Sequence, residues 1–188
     1  MSTSRRGVRA SRYAPPLSVS HTALRKGGSD KAFREMIYLF VLCLGRLQVC
    51  REAFGRRIGL TGRQFAVLIG TAHRQGAEGV TIREIARHVQ LADTHVTTEV
   101  GRMMRRGLLR KQPDREDGRS VRVSLTPRGR RTLAELAPYL RAVNDILFRA
   151  VSRREFEALL RFLRKFAGNT EAALAAIGAP SRLRLPVA

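Results

Sequence analysis

The chain has 188 residues, 44% hydrophobic but only 6% aromatic and without tryptophan, which suits one aliphatic core with helices to spare. Thirty-six Lys and Arg against fifteen Asp and Glu leave a formal charge of +21. Such an imbalance repels itself in the compact state and draws polyanions, with nucleic acid the first partner to consider and an anionic membrane surface the second. No apolar run approaches the roughly 18 residues of a membrane span, and no Gly-rich phosphate loop, metalloprotease helix or nucleophile elbow argues for an enzyme.

Residues 1–28 are rich in Ser, Arg, Pro and Gly, with Arg5, Arg6, Arg9, Arg12, Arg25 and Lys26 unopposed by any acid before Asp30. They read as a flexible basic arm. The alternatives are a plain solvated tail or residues ahead of the true start. An organellar transit peptide also fits the Arg/Ser composition, while a secretory signal lacks its apolar stretch.

From Ser29 the pattern turns helical. Phe33, Ile37, Phe40, Leu44, Leu47 and Phe54 form one apolar stripe on a first helix ending at Gly59. Cys43 and Cys50 fall seven apart on it, about 10 Å along the axis and too far for a mutual disulfide. They read as thiols kept reduced in a cytoplasm, with a redox sensor or a cross-chain disulfide as alternatives. Thr61 and Gln64 form a capping box for a second helix burying Phe65, Leu68, Ile69 and Ala72, which Gly76 and Gly79 break.

Thr81 and Glu84 repeat the capping box and open a short third helix with Ile82, Ile85, Ala86 and Val89 inward. Asp93 or its neighbour caps a fourth, which buries Val96, Val100 and Met103 and stops at Gly107. Residues 108–112 and 120–125 have extended-chain character around a polar turn, so they predict a hairpin with a charged tip. Thr126 and Pro127 then start a fifth helix on Leu133, Leu136, Leu140, Val143 and Leu147, with a kink expected at Pro138. Ser152 and Glu155 cap a sixth, carrying Phe156, Leu159, Leu160, Leu163 and Phe166 to about Ala176.

Third helix, tight turn, fourth helix and hairpin make a winged helix-turn-helix. The expected class is therefore mostly α, with a small two- or three-stranded β-wing and long N- and C-terminal dimerisation helices. The expected divisions are a basic arm over 1–28, a dimerisation helix over 29–59 and a DNA-binding lobe over 60–128. C-terminal dimerisation helices follow over 129–177, then a frayed tail over 178–188. In this architecture the N-terminal half of the fourth helix enters the major groove and needs short polar side chains there. Thr94, His95, Thr97 and Thr98 supply them, with Arg102 one turn on as a candidate reader of guanine. Glu99 is expected to face solvent. The wing supplies Arg115 and Arg119, and an acid such as Asp114 is expected to pin an arginine so that the tip holds its shape.

Leu60-Thr61 with Gln64, Thr81 with Ile85-Ala86, Val96-Thr97, Met103, Gly107-Leu108, Asp114, Asp117, Arg119, Leu125-Thr126 and Gly129 together resemble the MarR (multiple antibiotic resistance regulator) winged-helix family. The likeness is specific from the fourth helix through the wing, and it extends by helix order to residues 30–176. It implies an obligate homodimer joined by the first, fifth and sixth helices, reading a pseudo-palindromic operator in double-stranded DNA. It also implies a repressor released by a small phenolic or aromatic acid. Arg46, Phe65, Ile69 and His73 are the candidate ligand-binding residues. Peroxide-sensing relatives carry a reactive cysteine where this chain has Ile37, so their chemistry does not carry over to Cys43 or Cys50. The helices of the presumed joint also carry more apolar surface than one small winged domain covers, and a two-fold interface would bury it.

No cofactor is expected, and His21, His73, His88 and His95 lie at no zinc-ligand spacing. The competing reading is a nucleoid-type structural protein that coats DNA without choosing a sequence, which the basic arm and charge would serve equally well.

Overall fold

A computed structural model describes residues 13–114 and 120–178. The helices are α1 (Lys31–Arg57), α2 (Gly62–Arg74), α3 (Ile82–Val89), α4 (Asp93–Arg105), α5 (Pro127–Leu147) and α6 (Arg153–Gly178). The strands are β1 (Val80–Thr81), β2 (Leu109–Pro113) and β3 (Val121–Leu125), in an antiparallel sheet of order β1-β3-β2. The architecture is thus mostly helical with a three-stranded wing. Its third strand, β1, escapes a sequence reading because two residues carry no alternation of their own. Val80 opposite Val123 and Thr81 opposite Arg122 define it.

The chain forms two compact units, residues 1–136 and 137–188. In the first, Leu60, Val67, Leu68, Val80, Ile85, Ala86, Val96, Val100, Met103, Leu108, Leu109, Val123 and Leu125 make one core. Helical periodicity named Leu68, Ile85, Ala86, Val96, Val100 and Met103 of these, and α2 buries more than its expected stripe. Val67 and Thr71 are fully buried, whereas Ile69 and Ala72 are only half-buried. Thr71 is tolerated inside because its hydroxyl donates to the Val67 carbonyl at 2.8 Å. Of the stripe expected on α1, only Phe54 is buried, edge-on to Phe65 with ring centroids 5.7 Å apart.

The capping boxes at Thr61/Gln64 and Thr81/Glu84 both form. Thr126 caps α5, its hydroxyl accepting from the Gly129 N–H at 3.0 Å while donating to the Gly107 carbonyl at 2.6 Å. Asp93 does not cap α4. Ala92 holds that position with extended dihedrals and no side-chain bond, and Asp93 sits in the first turn, where a carboxylate complements the helix dipole.

Residues 13–28, expected from composition to belong to a flexible arm, instead carry a 3-10 turn at Thr22–Leu24 and a bridge between Lys26 and Ser29. Asp30 anchors them. It accepts from the Ser18 N–H at 2.7 Å and the Ser18 hydroxyl at 2.6 Å, and it pairs with Arg34. The Ser18 hydroxyl, then its N–H, then the Arg34 charge hold this carboxyl below its ordinary range. The rest of the expected arm, the wing tip with Arg115 and Arg119, and residues 179–188 lie outside the described residues.

In the second unit, Pro138 removes one N–H from the α5 ladder without ending the helix. No side chain of α6 is buried. Phe156, Leu159, Leu160, Phe162, Leu163 and Phe166 all stand exposed.

Glu84 offers a measurement on the helix-turn-helix. The Thr81 backbone N–H and then its hydroxyl stabilise the Glu84 carboxylate, lowering its pKa from the ordinary 4.5. A depressed folded-state pKa contributes stability above the unfolded value, and that stability is lost as pH falls through the folded one. Glu84→Gln is therefore expected to flatten the acid limb of a stability-versus-pH curve below about pH 4.5, whereas an unchanged limb would assign the acid sensitivity elsewhere.

Candidate nucleic-acid interface

α4 is divided lengthwise. Val96, Val100 and Met103 are fully buried on one side, and Thr94, His95, Thr97, Thr98 and Arg102 are exposed on the other. α3 precedes it across a turn made by Gln90, whose left-handed backbone (φ 56°) ends the helix. Burial of Ile85, Ala86 and Val96 in the common core fixes the two helices against each other.

The threonine hydroxyls are already committed as donors. Thr97 donates to the Asp93 carbonyl at 2.8 Å and Thr98 to the Thr94 carbonyl at 3.0 Å. Each therefore turns acceptor lone pairs and a methyl group outward, a set that suits the amino groups of adenine or cytosine and the thymine methyl.

Glu99 does not face solvent. It is 7% exposed and uses both oxygens. Arg102 Nη1 donates to Oε1 at 2.7 Å, and Gln64 Nε2 donates to Oε2 at 3.0 Å. An acidic residue on a helix with a polar face reads as solvated, because a side chain 35 positions away leaves no local signal. Nearby, Arg106 Nη1 donates to the Gly59 carbonyl at 2.6 Å, tying the end of α4 to the α1–α2 turn.

The wing is braced at its base. Arg110 and Ser124 are directly opposed, and Arg110 Nε donates to the Ser124 hydroxyl at 3.0 Å. Gln112 Nε2 reaches the Glu78 carbonyl at 3.0 Å, and the Leu125 N–H donates to Gln75 Oε1 at 2.8 Å. Asp114 is buried and accepts from Arg122 Nε at 2.6 Å, so β3 supplies a wing arginine that sequence reasoning did not single out. The alternation of β3 was its only trace.

Of the ligand-site candidates, Ile69 lines a cleft. A cleft of about 680 Å³ lies between α1, α2 and the α3–α4 turn, with Arg51, Glu52, Arg63, Ile69, His88 and Leu91 in its wall. Glu52 is engaged there, accepting from the Gly62 N–H at 2.8 Å. Phe65 is buried in the core against Phe54. Arg46 and His73 are exposed, with the His73 ring 6.4 Å from that of His88. Among the described residues no group of three or more His, Cys, Asp or Glu could hold a metal ion. None of their helices is long and apolar enough to cross a membrane.

Residues 60–129 match the family model described as a winged helix DNA-binding domain. The transcriptional activatory protein BadR of Rhodopseudomonas palustris is 32% identical over 112 residues, which are 59% of this chain and 64% of that protein, just under two-thirds of its length. The transcriptional regulator HosA of Escherichia coli is 29% identical over 136 residues, 72% of this chain and 94% of that one. A MarR-family regulator from Silicibacter pomeroyi superposes with a TM-score of 0.63 at 23% identity, covering 80% of this chain and 96% of that chain. Residues 60–129 are thus similar to a winged helix DNA-binding domain, and the chain shares its fold with the MarR-family regulator from Silicibacter pomeroyi.

Proposed function

We propose that this protein is a transcriptional regulator that binds double-stranded DNA as a two-fold homodimer, reads a pseudo-palindromic operator with α4, and represses until a small aromatic or phenolic acid releases it. The observation that carries the reading is the lengthwise division of α4. A core of Val96, Val100 and Met103 holds the helix rigid, while threonines, a histidine and an arginine face outward at spacings that share one groove. The first turn of α4 adds N–H groups that no side chain caps, and these suit a phosphate.

Exposed apolar residues on α6 and on α1 support the dimer reading. Leu159, Leu160 and Leu163 of α6 and Leu39, Leu42 and Leu47 of α1 stand exposed in a single chain. Surface this apolar is covered in stable proteins, and a closed two-fold joint covers it with the fewest parts. That joint would set two copies of α4 about one DNA turn, roughly 34 Å, apart. The wing residues Asp114, Arg115 and Arg119 would flank each, Asp114 shaping the ribbon and the arginines meeting backbone or groove. The cleft walled by Arg51, Arg63, His88, Ile69 and Leu91 pairs cationic and apolar groups as an aromatic carboxylate requires. Ile69 of the sequence candidates lies in its wall, whereas Arg46, Phe65 and His73 do not line this cleft. Such a protein works on the nucleoid in a bacterial cytoplasm.

The test begins by selecting bound sites from genomic fragments and comparing the selected duplex with random DNA. A sequence reader should prefer its site by about a thousandfold or more, and aromatic acids should then be screened for release. A protein that treats every duplex alike would instead be a coating protein of the nucleoid type. Both would weaken steeply with salt. Thr98→Ala is expected to erode the preference by about 1–3 kcal/mol at its base position, and Arg102→Ala likewise. Arg119→Ala should weaken specific and random binding together, because backbone contacts position without specifying. If neither α4 variant changed the preference, α4 would not be the reading helix.

A further inference from the structure

We infer that Glu99 sets the selectivity of α4. By holding the Arg102 guanidinium at one nitrogen and cancelling its charge, it directs that arginine to a guanine edge and withholds it from phosphates. The inference rests on the reading role proposed above for α4.

A carboxylate on a helix that approaches a polyanion is electrostatically unfavourable, so its presence needs a compensating task. Glu99 is also nearly buried, which demands partners for both oxygens. It has them from two helices. Gln64 of α2 donates at 3.0 Å, and Gln64 is itself fixed, its Oε1 accepting the Thr61 N–H at 3.1 Å within the capping box. The remaining oxygen takes Arg102 Nη1 at 2.7 Å. The Thr61 backbone N–H and the side chains of Gln64, Glu99 and Arg102 thus form a hydrogen-bonded chain running from the start of α2 to the exposed face of α4. An ordinary surface pair three residues apart has no such anchor, and it leaves its arginine to wander.

Two consequences follow for Arg102, whose side chain is half exposed. Among the described residues its Nε and Nη2 meet no acceptor, so one edge of the fork remains for the O6 and N7 of guanine. Its charge is also matched by a carboxylate in contact, so the pair adds almost nothing to the sequence-independent attraction that phosphates exert on a bare arginine. Orientation favours the specific complex, and neutralisation penalises the random one. Both raise the ratio between them.

The test measures binding of Glu99→Gln, Arg102→Ala and the double variant to the selected operator and to a random duplex across a salt series. Glu99→Gln keeps the volume and removes the charge. It is expected to tighten random-duplex binding several-fold and to steepen the slope of log K against log salt by about 0.9, the signature of one more phosphate contact. The operator-to-random ratio should fall about tenfold. In the Arg102→Ala background the same change should do none of this, because no arginine remains to be released. A merely structural Glu99 would lower both affinities together without touching the salt slope, and that result overturns the inference, as does an equal effect of Glu99→Gln without Arg102. If Arg102→Ala alone left the ratio intact, the reading role of Arg102 would fall first, and the inference with it. Should Glu99→Gln not fold, Gln64→Met removes the support from α2 and keeps the carboxylate. It is expected to lower the ratio about threefold only when Arg102 is present, and an unchanged ratio overturns the inference.

Discussion

Leu163→Asp is expected to yield a monomer or insoluble protein, and to weaken operator binding by about 10²- to 10⁴-fold through loss of the linked second half-site. Leu163 is 42% exposed and stands on a helix that buries no side chain among the described residues. Leu159 and Leu160 precede it and Phe166 follows at helical spacing, so they form a continuous apolar face. Covering one such side chain contributes about 1.5–3 kcal/mol, and a two-fold axis counts each contact twice. A carboxylate placed in the proposed joint would lose water without gaining a partner. Sizing or sedimentation of the soluble fraction reads the assembly state, and titration on one- and two-half-site duplexes reads the affinity. An unchanged dimer would remove α6 from the joint. A monomer that still bound the full operator tightly would remove the joint from DNA recognition.

The second large effect lies in the lobe itself. Gly129→Ala is expected to cost about 3 kcal/mol or more, lowering Tm by roughly 10 °C for a chain of this size. A Cβ there would lie 2.2 Å from the Leu108 carbonyl oxygen and 3.2 Å from Leu125 Cδ2. The Leu108 oxygen, a backbone atom, is the severe contact. The Leu108 carbonyl accepts the Thr126 N–H at 3.0 Å, and the Gly129 N–H is itself held by the Thr126 hydroxyl. Thus the entry of α5 is pressed against the foot of the wing with no side chain between them. Thermal unfolding followed by circular dichroism checks this, and a change within about 0.5 kcal/mol would show that the contact relaxes freely. The DNA-binding consequence should be secondary, appearing only as the folded fraction falls.

The amino-acid sequence by itself determined the elements and their order. The apolar side chains of α2, α3 and α4 repeat with the period of a helix, and each capping box joins residues three apart, so both signals are local. The exposed polar face of α4 was legible for the same reason, since burying Val96, Val100 and Met103 leaves Thr94, Thr97, Thr98 and Arg102 on the other side.

Only the tertiary structure decided what those side chains meet. Strand β1 exists because β3, some 40 residues later, lies beside it. Glu99 is buried because Gln64 on another helix reaches it, and Asp114 is engaged by Arg122 across the wing. Residues 13–28 are anchored because Ser18 returns to Asp30. The cleft draws its wall from three separate stretches of α1, α2 and the α3–α4 turn. Each of these is a pairing between groups distant in sequence. Such pairings leave no period and no spacing behind, because their energy depends on which surfaces the core brings together and not on the residues adjoining them in the chain.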